Sequence, residues 1–248
     1  MSLELFSRAL KECAAYTDLI ALHLLGDPLT IPNLSDYLDL VWESNLRTEI
    51  TTSGFYLGNH EQKILRHKAI KQINISLTSY DSNAKKCNFD TYMENIFSLI
   101  NQKNTYNIPE YINLRLWNLG TNRFEEAILA KLSEHFKVAI EPKIARTRLQ
   151  HKVILDLATL FEWRAKEPKN RGYCLALKSH VAILSNGEIV PCCFDAMGAL
   201  SLGNIKNISL KNALDSPRAR AIKSGFERGE IVEEFCKKCG YIKRFVKE

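Results

Sequence analysis

The feature that most constrains this chain is a concentration of cysteines in its last third. Five of the seven cysteines fall there: Cys174, Cys192, Cys193, Cys236 and Cys239. Zinc and iron–sulfur clusters both favour thiolate ligands, and four thiolates around one centre suit either. The other two cysteines, Cys13 and Cys87, stand alone and are expected to be packed free thiols. The last third is therefore predicted to hold a metal centre.

A β-hairpin is predicted between the first of these cysteines. Gly187 lies in a turn signal that separates two apolar runs, Val181–Leu184 and Ile189–Val190. Two short apolar runs around a glycine turn are typical of an antiparallel hairpin. The hairpin would bring Cys192 back towards Cys174.

The second pair, Cys236 and Cys239, has the C-x2-C spacing that lets one turn point two sulfurs at one centre. A helix is predicted from about Leu210 to Phe226, with a break or kink near Pro217. We expect this helix to return the chain to the two C-terminal cysteines.

The remaining composition is that of a globular chain in a reducing compartment. The chain has 248 residues, of which 46% are hydrophobic and 25% charged. The apolar stretch Leu19–Leu25 is too short to span a bilayer, and Met1–Phe6 carries no export signal. An odd number of cysteines without an export signal favours metal ligation in the cytosol over disulfides. We therefore expect a cytoplasmic protein that makes no use of a membrane.

The net charge is +6, and much of it lies near the C-terminus. Residues 203–248 contain eleven Lys or Arg and six Asp or Glu, a difference of +5. Such a surface could attract nucleic acid or an acidic peptide. No basic stripe interleaved with aromatic residues accompanies it, so a solvated face is the favoured interpretation and no nucleic-acid partner is expected.

Residues 1–143 alternate between helical and strand-like patterns. Helices are predicted at Leu3–Tyr16, Leu34–Ser44, Asn59–Lys68, Thr91–Asn101 and Asn122–His135, the last with a capping-box start from Asn122 to Glu125. Strands are predicted at Asp18–Leu25, Arg47–Thr52, Gln72–Thr78, Tyr111–Trp117 and Lys137–Ile140. This alternation predicts βα units on a parallel sheet, in a barrel or a doubly wound fold. The chain opens with a helix where βα order would place a strand.

Ligands of such sheets bind beyond the carboxyl ends of the strands. Polar or turn-forming residues follow several predicted strands here, although each also suits simple turn chemistry. Asn113, Arg115 and Trp117 share one face of their strand, and either face the substrate or fill the barrel. Residues 144–172 are basic and are predicted to be a linker, with a helix at Val153–Trp163.

Taken together, these motifs resemble a known family. The last third resembles the SPASM domain, the iron–sulfur C-terminal extension of radical S-adenosylmethionine enzymes. The resemblance rests on the run Cys174-x12-Gly187-x4-Cys192, the step Leu202–Ile205, the helix that follows and Cys236-x2-Cys239. Upstream, Leu25–Leu29 is similar to the Gly-Gly-Glu-Pro-Leu stretch of that superfamily, and Thr52–Gly54 is similar to its Thr-Asn-Gly stretch.

The resemblance implies an α/β fold, an incomplete (β/α)6 partial barrel followed by a small cysteine-rich SPASM-like module. It implies a barrel at residues 1–143 that lacks its first strand, a linker at 144–172 and the cluster domain at 173–248. The implied ligands of an auxiliary 4Fe-4S cluster are Cys174, Cys192, Cys236 and Cys239. The implied S-adenosylmethionine site is lined by Gly26, Asp27, Thr52 and Ser76.

The superfamily's C-x3-C-x2-C motif, which binds the cluster that cleaves S-adenosylmethionine, does not occur in these 248 residues. We therefore expect an N-terminally shortened form of such an enzyme that does not cleave S-adenosylmethionine alone. The resemblance implies radical modification of a peptide or small molecule, with electrons from a donor such as flavodoxin or ferredoxin. The alternatives are a non-catalytic iron–sulfur module for electron transfer or binding, and a structural zinc module.

Overall fold

The computed structural model of the protein describes residues 1–59, 62–160, 162–165 and 167–245. The helices in chain order are α1 (Leu3–Cys13), α2 (Leu34–Glu43), α3 (Gln62–Leu65), α4 (Ser79–Asn83), α5 (Phe89–Tyr106), α6 (Glu125–Phe136), α7 (Leu210–Leu214), α8 (Pro217–Glu227) and α9 (Glu234–Lys237). The strands are β1 (Leu19–Leu22), β2 (Arg47–Thr52), β3 (Ile70–Ser76), β4 (Tyr111–Leu119), β5 (Arg146–Gln150), β6 (Val153–Thr159), β7 (Ala182–Ile183), β8 (Glu188–Val190) and β9 (Gly203–Asn204).

These elements form two compact units. One comprises Thr17–Leu160 and is called the barrel unit below. The other joins Met1–Tyr16 to Phe161–Glu248 and is called the cysteine unit. Within the described part of the chain, no helix combines the length and the apolar character needed to cross a membrane.

The barrel unit is built on a six-stranded sheet in the order β1-β2-β3-β4-β6-β5. Neighbouring strands are parallel throughout, except that β5 runs antiparallel to β6. This mostly parallel sheet with helical crossovers confirms the predicted α/β partial barrel.

The two faces of this sheet differ sharply in polarity. Right-handed crossovers between sequential parallel strands place the connecting helices on one face. That face carries side chains with no exposed surface, Ile50, Ile73, Ile75, Leu114 and Leu155. The other face, which is the inner one in a barrel whose helices lie outside, carries Glu49, Asn74, Asn113, Arg115 and Asp156.

Two strand and helix predictions at the end of the barrel are wrong. Lys137–Ile140 is not a strand, and Lys137 instead ends α6 in the left-handed conformation. Val153–Trp163 is not a helix, because Val153, Leu155 and Leu157 are buried in strict alternation along β6. The buried side chains of β6 complete the apolar face of the sheet. The segment Lys137–Ile140 has no buried residue and cannot take this place.

The predicted capping box of α6 is also wrong. The helix begins at Glu125, and its N-cap is Phe124. The Asn122 side chain accepts a hydrogen bond from the Phe124 amide, and the Glu125 carboxylate accepts one from the Gly120 amide at 2.6 Å. Both side chains therefore stabilise the turn before the helix.

The cysteine unit contains a three-stranded antiparallel sheet, β7-β8-β9. The pairing of β7 with β8 confirms the predicted hairpin, and the interruption between α7 and α8 confirms the break before Pro217. Gly187 has a φ of +93°, and an added Cβ would lie 2.7 Å from the Asn204 side-chain oxygen. Only glycine suits this turn, which sets the direction of β8 towards Cys192.

The structure divides the chain differently from the boundaries expected from sequence. Helix α1 packs in the cysteine unit, where Leu5 contacts a buried cluster that includes Ile189 and Leu202. Glu12 accepts a hydrogen bond from the Leu210 amide at 2.9 Å, at the start of α7. In addition, the stretch predicted to be a linker, 144–172, contributes β5 and β6 to the barrel sheet.

Candidate functional site

The four cysteines selected from sequence lie in one apolar cluster of the cysteine unit. Cys192 and Cys236 are buried, with 9% and 8% of their surface exposed, and Cys174 and Cys239 are partly buried against them. The cluster is completed by Ala176, Leu200, Ile222, Phe226, Ile231 and Ile242. All four are free thiols. The hairpin, α8 and the C-terminal turn thus bring together residues that are more than sixty positions apart.

Burial controls the protonation of these thiols. It raises the pKa of Cys192 to about 12, with smaller contributions from Cys193 and Cys174. Burial also raises the pKa of Cys236, and the nearby Cys192, Cys174 and Cys239 raise it further. The pKa of Cys174 is raised by burial too. Without a cation the thiols of Cys174, Cys192 and Cys236 are held in the protonated form, so binding a metal here must release protons.

The number and type of ligands bear on which metal centre the cysteine unit can hold. Among the described residues, no group of three or more His, Cys, Asp or Glu is placed to hold a single metal ion. Four thiolates on one zinc ion, with bonds near 2.3 Å, would lie about 3.8 Å apart. A cubane cluster has an iron at each of four corners and spreads its cysteine ligands more widely. Four thiols in apolar surroundings suit either an iron–sulfur cluster or a tetrahedral zinc ion.

Cys193 lies beside this set. It is partly buried, and the pKa of its thiol is raised by burial and by Cys174 and Cys239. The next residue, Phe194, packs against Trp163 and Tyr241 with ring centroids 4.8 and 4.9 Å apart. Of these aromatic residues, Phe194 packs against the apolar cluster that contains the cysteines, and apolar neighbours limit water at a metal centre.

The C-x2-C turn is fixed by main-chain contacts with the segment that precedes Cys174. The amides of Ala165 and Lys169 donate to the carbonyls of Lys238 and Lys237 at 2.8 and 2.9 Å. Gly240 packs so closely on this segment that a Cβ there would collide with the carbonyl of Glu162. The glycine after Cys239 is therefore required by the approach of the two chains.

Polar residues that the sequence interpretation did not select support the cysteines. Fully buried Asp195 accepts hydrogen bonds from the amides of Ala199 and Leu200 at 2.8 and 2.7 Å. Arg218 on α8 forms a bidentate pair with Glu233, the N-cap of α9, at 2.7 and 3.0 Å. A single acidic residue in the apolar stretch after Cys193 is a sequence signal for Asp195, whereas the Arg218–Glu233 pairing has none.

In the barrel unit, Asp27 joins the loops that follow β1 and β2. One carboxylate oxygen accepts three hydrogen bonds, from the hydroxyl of Thr52 at 2.9 Å and from the amide and hydroxyl of Ser53, both at 2.7 Å. The other accepts from the Leu29 amide at 3.1 Å. The structure therefore brings Asp27 and Thr52 together, and it adds Ser53, which the sequence selection omitted.

The surroundings of this junction are rigid. Thr52 is 1% exposed and holds the Gly54 amide, so it acts as a support for Asp27. Fully buried Tyr92 donates from its hydroxyl to the Ser53 carbonyl at 2.9 Å, and burial raises its pKa far above the ordinary range.

The other two residues of the predicted nucleotide site are placed differently. Gly26 precedes Asp27 with a φ of +82°, and Leu24 has a φ of 140°, so the loop after β1 has an uncommon backbone path. Ser76 ends β3 and lies outside the Asp27 network, with Arg115 as its register partner on β4. Three of the four residues thus share one loop junction, and Ser76 lies one strand away.

Comparisons with known proteins give a family match for the cysteine segment. Residues 174–240 match the model of the SPASM family, described as an iron–sulfur cluster-binding domain. A search of the curated proteins finds no match.

Several solved structures share the fold of nearly the whole chain. BtrN in an open conformation has a TM-score of 0.57 at 14% identity, covering 96% of this chain and 79% of that one. BtrN in complex with AdoMet and 2-DOIA has a TM-score of 0.55 at 13% identity, covering 92% and 75%. Native anSMEcpe with bound AdoMet and the Kp18Cys peptide has a TM-score of 0.58 at 13% identity, covering 99% and 80%.

At such identities these likenesses concern the fold, while the family match concerns the cysteine segment. Residues 174–240 are accordingly similar to the SPASM domain, and nearly the whole chain shares the fold of BtrN and anSMEcpe.

Proposed function

We propose that this chain is an iron–sulfur protein of the radical S-adenosylmethionine/SPASM type. Cys174, Cys192, Cys236 and Cys239 would hold an auxiliary 4Fe-4S cluster. The observation that carries the proposal is the convergence of these four thiols in one apolar cluster, within the segment that matches the iron–sulfur domain. When bound, such a cluster supplies one-electron chemistry or a coordination site for substrate.

The residues of the cysteine unit have clear tasks under this proposal. Buried Cys192 and Cys236 exclude water from one side of the centre, and Phe194 packs against the apolar cluster that contains them. The Arg218–Glu233 pair holds the start of the short helix that carries Cys236. Burial, hydrogen bonds and nearby charge are the means by which a protein tunes a cluster.

Anaerobic reconstitution with iron and sulfide tests the cluster. We expect about four irons and four sulfides per chain, with a broad charge-transfer absorption. Replacing any one of the four cysteines by serine should lower the iron content sharply, whereas the matched replacement Cys87→Ser in the barrel unit should not. A colourless protein that takes up one zinc would contradict the proposal and support the structural zinc module.

We further propose that the barrel unit, residues 17–160, binds S-adenosylmethionine at the loops after β1 and β2. Gly26 and Asp27 would contact the ligand, Thr52 would support Asp27, and Ser76 would contact the nucleoside from β3. The fold supports this, since BtrN and anSMEcpe have been solved with AdoMet. Calorimetric titration should detect binding that Ser76→Ala weakens, while Ser98→Ala on the outer helix α5 leaves it unchanged.

The partners follow from the same likeness. Solved relatives contain a peptide in one case and the small molecule 2-DOIA in another, so we propose a peptide or a small molecule as substrate. A reduced flavodoxin or ferredoxin would supply electrons in the cytoplasm, and neither nucleic acid nor a membrane takes part.

One observation favours a second function, a non-catalytic electron-transfer or binding module. The barrel unit contains a single cysteine, Cys87, whereas a cluster that cleaves S-adenosylmethionine needs three thiolates. As these 248 residues stand, the auxiliary centre is the cluster that they can hold.

A further inference from the structure

The inner face of β4 carries a guanidinium that no carboxylate contacts directly among the described residues. Arg115 is mostly buried, and its Nε atom has no hydrogen-bond partner. Among the described residues it forms no ion pair. Burial lowers the pKa of Arg115, and the nearby carboxylates of Asp156 and Glu49 raise it. A buried N–H group normally has an acceptor, so this position calls for a ligand that can accept a hydrogen bond.

A second unpartnered group lies two residues earlier on the same face. Asn113 is 8% exposed, and its side-chain oxygen has no hydrogen-bond partner. Its register partner on β3, Asn74, is by contrast fully engaged. Asn74 accepts from Gln72 at 2.6 Å and donates to Glu49 at 3.3 Å. The Asn74 side chain on β3 therefore has hydrogen-bond partners for both its oxygen and its amino group, whereas Asn113 and Arg115 on β4 each keep an atom without a partner.

The Arg115 side chain is held in place. Thr78 accepts a hydrogen bond from the Trp117 amide at 2.7 Å and donates its own amide to the Arg115 carbonyl at 3.3 Å. The Arg115 guanidinium lies over the Trp117 ring, 5.0 Å from its centroid. A cation stacked on an aromatic ring is fixed in direction but keeps its N–H groups free for an anion.

Nearby carboxylates do not take this role. Asp156, the register neighbour of Arg115 on β6, is bound by Arg146 at 2.7 Å. Glu49 is engaged by Asn74. Both keep their negative charge close to the guanidinium, so a dianion such as phosphate would be repelled more strongly than a monovalent carboxylate.

We infer that Asn113 and Arg115 form a subsite for a substrate that carries a carboxylate next to a hydrogen-bond donor. The guanidinium fork would donate two hydrogen bonds to the carboxylate, and the Asn113 oxygen would accept a hydrogen bond from a hydroxyl or amino group. This inference rests on the proposed function for the identity of the site as a substrate site. It narrows the substrate to acids such as hydroxy acids, sugar acids or peptides with a free carboxylate.

Fluorescence of Trp117 provides a test that needs no cluster. The chain has three tryptophans, so the variant Trp42→Phe/Trp163→Phe leaves Trp117 as the reporter. The probes are lactate, its neutral match lactamide, and propionate, which lacks the hydroxyl, all at constant ionic strength. We expect a saturable change with lactate, a weaker one with propionate and none with lactamide.

Arg115→Met in this background should weaken lactate binding by about tenfold or more, with Arg115→Lys intermediate because it lacks the fork. The matched control is Arg148→Met, which removes an exposed arginine from the same face. Urea unfolding of Arg115→Met checks that the variant is folded, so that weaker lactate binding reports on the subsite itself. Equal responses to lactate and lactamide, or unchanged lactate binding in Arg115→Met, would overturn the inference.

A separate titration shows whether the carboxylate that Arg115 binds belongs to the substrate or to S-adenosylmethionine. Arg115→Met should bind S-adenosylmethionine as the parent does. A loss of about tenfold for S-adenosylmethionine, with unchanged binding of 5′-methylthioadenosine, would assign the arginine to the amino-acid part of S-adenosylmethionine and overturn the substrate subsite. Failure of cluster assembly would leave these readouts unaffected, so the two proposals fail separately.

Discussion

At the scale of single residues, the sequence identifies chemistry better than it identifies contacts. Asp27 and Thr52 were selected because the family resemblance implied them, and the structure joins them directly. The sequence does not show that three donors converge on one oxygen of Asp27, because the Ser53 contribution depends on the turn after β2. Likewise, Asn113 and Arg115 were placed on one face by their spacing, but only the structure shows that they lack partners.

The Asp27 network predicts the effect of Asp27→Asn. An asparagine has one carbonyl oxygen, so its amide group must face either the Leu29 amide or the Ser53 donors. We expect a loss of about 1–3 kcal/mol in the free energy of unfolding, measured with urea. Asp215→Asn, which changes an exposed aspartate in the cysteine unit, is the control and should stay within about 0.5 kcal/mol of the parent. Equal effects of the two changes would show that the network adds nothing.

Two glycines with positive φ form a matched pair for the hairpin. Gly187→Ala adds a Cβ against the Asn204 side chain, while Gly229→Ala adds one at a φ of +73° with no atom within 4 Å. Both should cost about 1 kcal/mol for the left-handed backbone, and Gly187→Ala should cost clearly more. Urea unfolding measures the difference, and a larger loss in Gly229→Ala would refute this account of the turn.

At the scale of elements, periodicity predicts most of the barrel but not its closing edge. Strand β2 has the predicted bounds, β1, β3, β4 and α2 were expected within a few residues, and α5 is longer than predicted. Lys137–Ile140 was misassigned because a short apolar run carries no information about which sheet edge is available. The correct strand, β6, is recognised by its alternation, but its place next to β4 depends on the whole sheet.

The junction of α8 and α9 predicts a pH effect. Arg218 holds the pKa of the Glu233 carboxyl below its ordinary value of 4.5. A depressed pKa means that the pair stabilises the fold above that value and that this stabilisation is lost as the pH falls through the pKa of the folded protein. Glu233→Gln should therefore be less stable than the parent at neutral pH, by on the order of 1 kcal/mol for such a partly exposed pair.

The difference between Glu233→Gln and the parent should shrink on acidification below about pH 4.5, as followed by urea unfolding across the range. Glu43→Gln, at an exposed position of α2, is the control and should show no such dependence. A difference that persists unchanged in acid would mean that the ion pair is not its cause.

At the scale of the whole molecule, the spacing of the cysteines predicted the metal-binding part of the cysteine unit. The boundaries of the two units were only partly predicted. Helix α1 was expected to join the barrel, whereas its apolar stripe packs against the hairpin module. An amphipathic stripe shows that a helix is half buried, but not which of two cores receives it. The pairing of residues 163–169 with the C-terminal cysteine turn is equally invisible in sequence.

The distribution of cysteines between the units predicts an absence of activity. Incubated with dithionite and S-adenosylmethionine after reconstitution, this polypeptide should release no 5′-deoxyadenosine, because its barrel unit offers Cys87 as its sole thiol. Chromatography of the reaction mixture measures the product. Turnover to 5′-deoxyadenosine would show that the required cluster is assembled in a way that this account does not provide.

The central claim is that four distant thiols surround one polynuclear centre. X-ray absorption at the iron edge of the reconstituted protein tests it most directly, because neighbouring irons scatter as a separate shell beyond the sulfur ligands. We predict an iron–sulfur shell together with an iron–iron shell, both lost in Cys192→Ser/Cys236→Ser and retained in Cys87→Ser. A single metal ion with sulfur neighbours and no metal–metal shell would contradict the account.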